Sequence, residues 1–158
     1  MAFGFFKKSE KKSETPVNAG PHYYDLKVKH IIQETKYAIS IVFEQTANKI
    51  SYKSGQFLTL IAPVAGKEVR RAYSLNSSPF TDQDLSVTIK RVDLGLMSNW
   101  LPDNLKAGDT VKVMEPMGHF TTEYKSENKR HVIMFAGGSG ITPMMSLIKS
   151  TLTQEPES

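Results

Sequence analysis

The chain contains no cysteine. That excludes disulfides, thiolate metal sites, cysteine nucleophiles and an iron–sulfur cluster ligated by these residues. No run approaches the roughly 20 apolar residues of a membrane span. The opening Ala2-Phe3-Gly4-Phe5-Phe6 is too short for a signal-peptide core, and its lysines follow it instead of preceding it. A cytoplasmic soluble protein is the expectation. A strong excess of one charge is missing too. The formal net charge is +4, and the first 20 residues, with four Lys and two Glu, supply half of it. The rest is nearly neutral, which weakens a nucleic-acid reading based on charge. The four histidines, His22, His30, His119 and His131, are scattered, and no ligand spacing points to a metal site.

What is present is enough for about one domain, with or without a piece of a second. Residues 1–21 read as a flexible tail. From there the pattern is β: Leu26–Ile31, Tyr37–Phe43, Gln56–Ile61, a stretch around Arg70–Leu75, Leu85–Arg91 and Thr110–Met114. Turn signals stand between them at Ser54-Gly55, Ala65-Gly66-Lys67 and Ala107-Gly108-Asp109. Short alternating strands separated by turns predict an antiparallel barrel or sandwich. Gly95–Leu101 reads as a short helix ending at Pro102, with Met97, Trp100 and Leu101 as a core plug. Its glycine-led N-terminus offers backbone N–H groups to an anion.

Near residue 131 the pattern changes. His131–Ala136 is a continuous apolar run, as expected of a strand covered on both faces. Gly137–Pro143 is a glycine-rich turn. Ile141, Met144, Met145, Ile148 and Leu152 then recur at helical spacing, with Pro143 tolerated in the first turn. This is the opening βα of a nucleotide-binding α/β unit, which the sequence cuts short at Ser158. Phe120 and the Met144-Met145 pair are expected in the core.

The stretch Arg70-Arg71-Ala72-Tyr73-Ser74-Leu75 carries the chemistry. In a strand, Arg71 and Tyr73 share one face. A forked cation beside a flat ring suits an anionic, planar ligand. The same pair also fits a surface arginine beside a core-edge tyrosine, and the six residues do not choose. Lys90 and Arg91 are open in the same way, between ligand contacts and a solvated strand face.

Taken together, four stretches resemble the ferredoxin–NADP reductase superfamily of flavoproteins. Arg71, Tyr73 and Ser74 match its R-x-Y-S signature. Gly95-Leu96-Met97-Ser98 is similar to its flavin-pyrophosphate turn. Glu115–Phe120 resembles the G-P-x-G-x-F segment closing the flavin domain, with Glu115 in place of the usual glycine. Gly137–Pro143 resembles its G-G-x-G-I-T-P nicotinamide-nucleotide turn. Within the superfamily the likeness is greatest to reductase components of phenylacetyl-CoA oxygenases, in which a full NAD(P)H domain and a [2Fe-2S] domain follow.

The resemblance implies a mainly β, six-stranded antiparallel Greek-key FAD-binding barrel at 22–124, with a short capping helix. It implies the truncated start of an NAD(P)H-binding domain at 130–158. Arg71 would pair with the FAD pyrophosphate, Tyr73 would pack on the isoalloxazine, and Ser74 would hydrogen-bond near flavin N5, which accepts hydride. Ser74 and Tyr73 are thus the implied catalytic pair. Leu75, Ile89, Lys90, Gly95, Leu96, Met97 and Ser98 would hold the rest of the flavin, partly by backbone. Gly138, Ser139 and Gly140 would face a pyridine-nucleotide pyrophosphate, and Thr142 would stand near the junction of the two cofactors. FAD is the implied cofactor and NAD(P)H the donor, if the remaining nucleotide domain is supplied. The implied partner is an iron–sulfur protein or oxygenase component, with neither nucleic acid nor membrane. A flavin-free, OB-like nucleic-acid barrel and a degenerate scaffold remain as alternatives.

Overall fold

The computed structural model describes residues 20–45 and 49–158. The expectation of a flexible tail at 1–21 lies almost wholly outside them. Among these residues six strands form: β1 Tyr23–Thr35, β2 Ala38–Phe43, β3 Phe57–Val64, β4 Lys67–Ser74, β5 Leu85–Lys90 and β6 Thr110–Met114. Their order in the sheet is β4-β3-β6-β1-β2-β5, and all pairs are antiparallel. The last strand in sequence inserts between β3 and β1, which is the Greek-key character expected.

Alternation builds the barrel core. Leu26 and Val28 of β1, Ile39, Ile41 and Phe43 of β2, Leu58 and Leu60 of β3, Leu85, Val87 and Ile89 of β5, and Val111 and Val113 of β6 are all buried together. Each such side chain contributes roughly 1.5–3 kcal/mol through burial. The β3–β4 hairpin turns through Ala65 and Gly66, both at positive φ (50° and 74°), the combination favoured between twisted antiparallel strands. Gly55, at φ 87°, leaves no room for a side chain: a Cβ there would collide with the Phe120 carbonyl oxygen. That close approach ties the start of β3 to the segment leaving β6.

A nine-residue helix, α1 Leu96–Asn104, plugs the barrel with Met97 and Leu101, both buried, and Trp100 packs beside them. It continues through Pro102 instead of ending there. A proline in the last turn forfeits a single backbone bond, and the turn is held in other ways. Leu105 N–H donates to the Leu101 carbonyl at 3.0 Å, and Asn104 Nδ2 donates to that of Trp100 at 2.8 Å.

β4 and β5 are the two ends of the strand order. Just past β4, Leu75 bridges Val87, and Asn76 N–H donates to the Ser86 carbonyl at 2.9 Å. Elsewhere β4 and β5 stand apart, and a groove opens between them.

The C-terminal part departs from expectation twice. His131–Ala136 forms no strand. A strand is defined by its ladder partners, and no described segment pairs with this one, so Ile133 and Phe135 stand 78% and 87% exposed. The helix α2 Ile141–Gln154, preceded by a 3₁₀ turn at Gly138–Gly140, does form, with Pro143 in its first turn. Yet it docks with the opposite face from the apolar stripe. Thr142, Ser146, Leu147, Ser150 and Thr151 are buried, whereas Ile141, Met145 and Leu152 are exposed. Hydroxyls make this contact. Ser146 Oγ donates to the Ser77 carbonyl at 2.5 Å, and Ser150 Oγ meets Ser78 Oγ at 2.8 Å and Ser54 Oγ. Phe120, expected in the core, is 57% exposed: its carbonyl makes the close approach to Gly55, and only one edge of its ring comes near. Met145 lines a groove.

Candidate functional site

β4 carries two arginines on opposite faces. Arg70 turns outward to Glu68, at 2.7 Å, and to Tyr23 Oη, at 3.3 Å. Arg71 pairs across the ladder with core Leu60, and Tyr73 with core Leu58. Arg71 and Tyr73 therefore lie on the inward face at the open edge, and both line the groove between β4 and β5. Arg71 has no carboxylate partner among the described residues, and its one hydrogen bond there goes to the Arg70 carbonyl, at 2.8 Å. Burial raises the Tyr73 phenol pKa, against the downward pull of the Arg71 guanidinium.

The far wall of this groove is the turn into α1. Leu94, at φ 58°, reverses the chain. Asn99 Nδ2 then ties the turn down by donating to the carbonyls of Val92, at 2.9 Å, and Gly95, at 2.8 Å. The first turn of α1 has neither a side-chain cap nor an acidic residue, so its leading N–H groups and positive dipole end are available to an anion. A Cβ on Gly95 would collide with Ser98 Oγ. Ser98 Oγ itself is buried and has no hydrogen-bond partner among the described residues, an arrangement that costs about 1–3 kcal/mol unless a ligand satisfies it. The cavity measures about 480 Å³ and is lined by Arg71, Tyr73, Lys90, Leu96, Met97 and Ser98, among others, and by no carboxylate.

Lys90 and Arg91 separate here. Arg91 clamps α1, bonding Asp103 at 2.5 Å and the Asn99 carbonyl at 3.1 Å. Lys90 is without an acidic partner among the described residues and faces a second groove as well. This one, of about 580 Å³, lies over β2, β5 and the start of α2, with Gly138, Ser139 and Thr142 on its wall. Thr88, Lys90 and Ser139 line both grooves. Several expected site residues lie elsewhere. Ser74 ends β4 half-buried and lines neither groove, nor does Gly140. Leu75 and Ile89 are fully buried, which leaves only their backbone for a ligand. Asn76, Thr88, Ser40 and Glu34, which sequence reasoning passed over, form a connected polar cluster beneath the grooves. Among the described residues no group of His, Cys, Asp or Glu is arranged to hold a metal ion.

Residues 24–122 match the oxidoreductase FAD-binding domain family. This chain belongs to that family. The ferredoxin reductase component of 3-ketosteroid-9-alpha-monooxygenase from Rhodococcus rhodochrous is 44% identical over 133 residues, covering 82% of this chain and 37% of the relative. A component of 1,2-phenylacetyl-CoA epoxidase from Escherichia coli is 35% identical over 139 residues, covering 86% and 39%. The chain thus spans well under half the length of the curated relatives it matches. Among solved structures, the flavohem-like FAD/NAD-binding domain of nitric oxide dioxygenase from Vibrio cholerae superposes with a TM-score of 0.73 at 27% identity, covering 82% of this chain and 57% of that one.

The residues present fit the family's FAD. A guanidinium with no acidic partner among the described residues, an uncapped helix N-terminus and a serine hydroxyl with no partner there line one cavity, a donor set that suits an anionic group. The half-buried Tyr73 ring offers a flat apolar surface beside them.

Proposed function

We propose that this chain is the FAD-holding part of an NAD(P)H-dependent reductase that passes electrons to an iron–sulfur protein or oxygenase component. The carrying observation is the cation-lined groove in which, among the described residues, Arg71 has no acidic partner and Ser98 Oγ has no partner at all. Bound there, FAD supplies hydride acceptance and one-electron delivery. The protein's part is positional. Arg71 and the first turn of α1 bind the anionic segment, Tyr73 orients the ring system, and Met97 closes the floor against water. The division into a barrel at 22–124 and a nucleotide-binding start at 130–158 belongs to the same reading. So do a pyridine-nucleotide site in the second groove, near Gly138, Ser139 and Thr142, and work in the cytoplasm. None of the described helices is long and apolar enough to cross a membrane.

The Escherichia coli relative carries a phenylacetyl-CoA role in its name, and the Rhodococcus relative carries a ketosteroid role at higher identity. What they share is service to an oxygenase, and the proposed role is that shared one rather than phenylacetate catabolism.

The test is a visible absorbance spectrum after FAD is added and unbound flavin is filtered away. Stoichiometric retained flavin is expected. Loss of all colour on filtration overturns the reading.

A further inference from the structure

A connected line of hydrogen bonds runs from the meeting point of the two grooves to the protein surface. It starts at a defect in β1. Gln33 pairs with Ile39 and Thr35 with Ala38, so Glu34 is an extra residue in the ladder. Such a bulge re-aims its side chain. Here it brings Glu34 Oε1 to 2.6 Å from the Ser40 hydroxyl, which donates to it. Ser40 Oγ lies 2.8 Å from Thr88 Oγ1. A serine hydroxyl has one proton, and that of Ser40 is committed to Glu34, so Thr88 is the donor in this second bond. Asn76 Nδ2 donates to Thr88 Oγ1 at 2.6 Å and to Ser40 Oγ at 3.3 Å. Thr88 Oγ1 thus keeps one lone pair, and Thr88 lines both grooves. Every hydroxyl in the line is polarised toward Glu34, which is itself exposed, while Ser40 is only 1% exposed.

We propose that Thr88, Ser40 and Glu34 form a proton exit from the cofactor groove to solvent. The role rests on the function proposed above. A carrier that has accepted a hydride holds two electrons and one proton. When both electrons leave singly to a one-electron acceptor, that proton must go elsewhere. Thr88 Oγ1 takes it and hands its own proton to Ser40, and Ser40 hands its own to the Glu34 carboxylate, which releases it to water. Charge and atoms balance: two electrons pass to the acceptor and one proton to bulk. The charged and titratable groups around Glu34 are Lys90 on β5, Lys149 on α2, His30 on β1, and Asp82 and Asp84 before β5. Asp82 holds Lys149 at 3.1 Å and Asp84 holds Lys29 at 2.7 Å, so Glu34 is the carboxylate left to accept the proton.

The test has two readouts. In the flavin-free chain, proton NMR should show a slowly exchanging downfield hydroxyl resonance from Ser40 that Glu34→Gln shifts and Ser40→Ala removes. In the FAD-loaded, reduced chain, oxidation by ferricyanide is followed by flavin absorbance and by a pH-indicator dye together. Proton release should keep pace with reoxidation in the unaltered chain and lag it by on the order of a hundredfold in both variants. Release that keeps pace in Glu34→Gln and Ser40→Ala, with flavin retained, overturns the exit alone. Failure of the unaltered chain to retain FAD overturns the reading of the groove and the exit with it.

Discussion

The adjacent arginines of β4 predict opposite outcomes. Arg70 is half-exposed in an ion pair with Glu68, and such pairs contribute about 0–1 kcal/mol. Arg71 lines the groove and has no acidic partner among the described residues. Arg71→Ala should weaken FAD binding by about 1.5–3 kcal/mol, the range for a charge-assisted hydrogen bond, and leave the melting temperature unchanged. Arg70→Ala should leave FAD affinity within about twofold. Fluorescence titration of FAD against both variants decides; equal affinities for the two would refute the assignment. The shared face of Arg71 and Tyr73 was legible in the sequence, because strand alternation has a strict period. The orphaned Ser98 hydroxyl was not, because it depends on how closely Gly95 approaches. Nor was Glu34, whose direction is set by a bulge that breaks the period.

At the scale of elements, α2 shows where periodicity misleads. Its existence, its glycine-rich lead-in and Pro143 in the first turn were all readable. Its docking face was not. The apolar stripe predicts a buried side, but the barrel surface it meets is made of Ser54, Ser77 and Ser78, and hydroxyls outcompete methyl groups for that surface. The strand expected at His131–Ala136 fails for a related reason: apolarity marks a segment as buriable, and pairing needs a neighbour. Ser146→Ala leaves the Ser77 carbonyl without its side-chain donor and should cost about 1–3 kcal/mol. The loss should appear as faster amide exchange in α2 while the amides of β1, β2 and β6 stay protected. Uniform exchange throughout would mean that helix and barrel open together.

For the whole molecule, two features govern behaviour in solution. The C-terminal end is clasped by Glu155, fully buried, which accepts from Asn128 Nδ2 at 2.6 Å, from Arg130 Nε at 2.8 Å and from the Lys125 N–H at 3.2 Å. Burial alone would raise its pKa, yet these hydrogen bonds together hold it below the usual carboxylate value. A depressed folded-state value means the clasp's stability is complete above the ordinary carboxylate range. It is lost as pH falls through the lower, folded-state value. Acid titration should therefore release protection at 125–130 and at the end of α2, and Glu155→Gln should remove that pH dependence. Second, Val132, Ile133, Phe135 and Leu152 expose apolar surface, which predicts concentration-dependent self-association. Phe135→Lys should raise the concentration at which the chain scatters light without moving its melting temperature.

The bridge between Leu75 and Val87 has one more consequence. A barrel fastened at one rung behaves like a cuff with one button, and whatever lies along the opening completes the closure. A flavin spanning from Arg71 to α1 would be a structural strut as much as a reagent. Occupancy would then be written into the rigidity of β4 and β5, and a partner that touches either strand could sense whether the carrier is loaded before any electron moves.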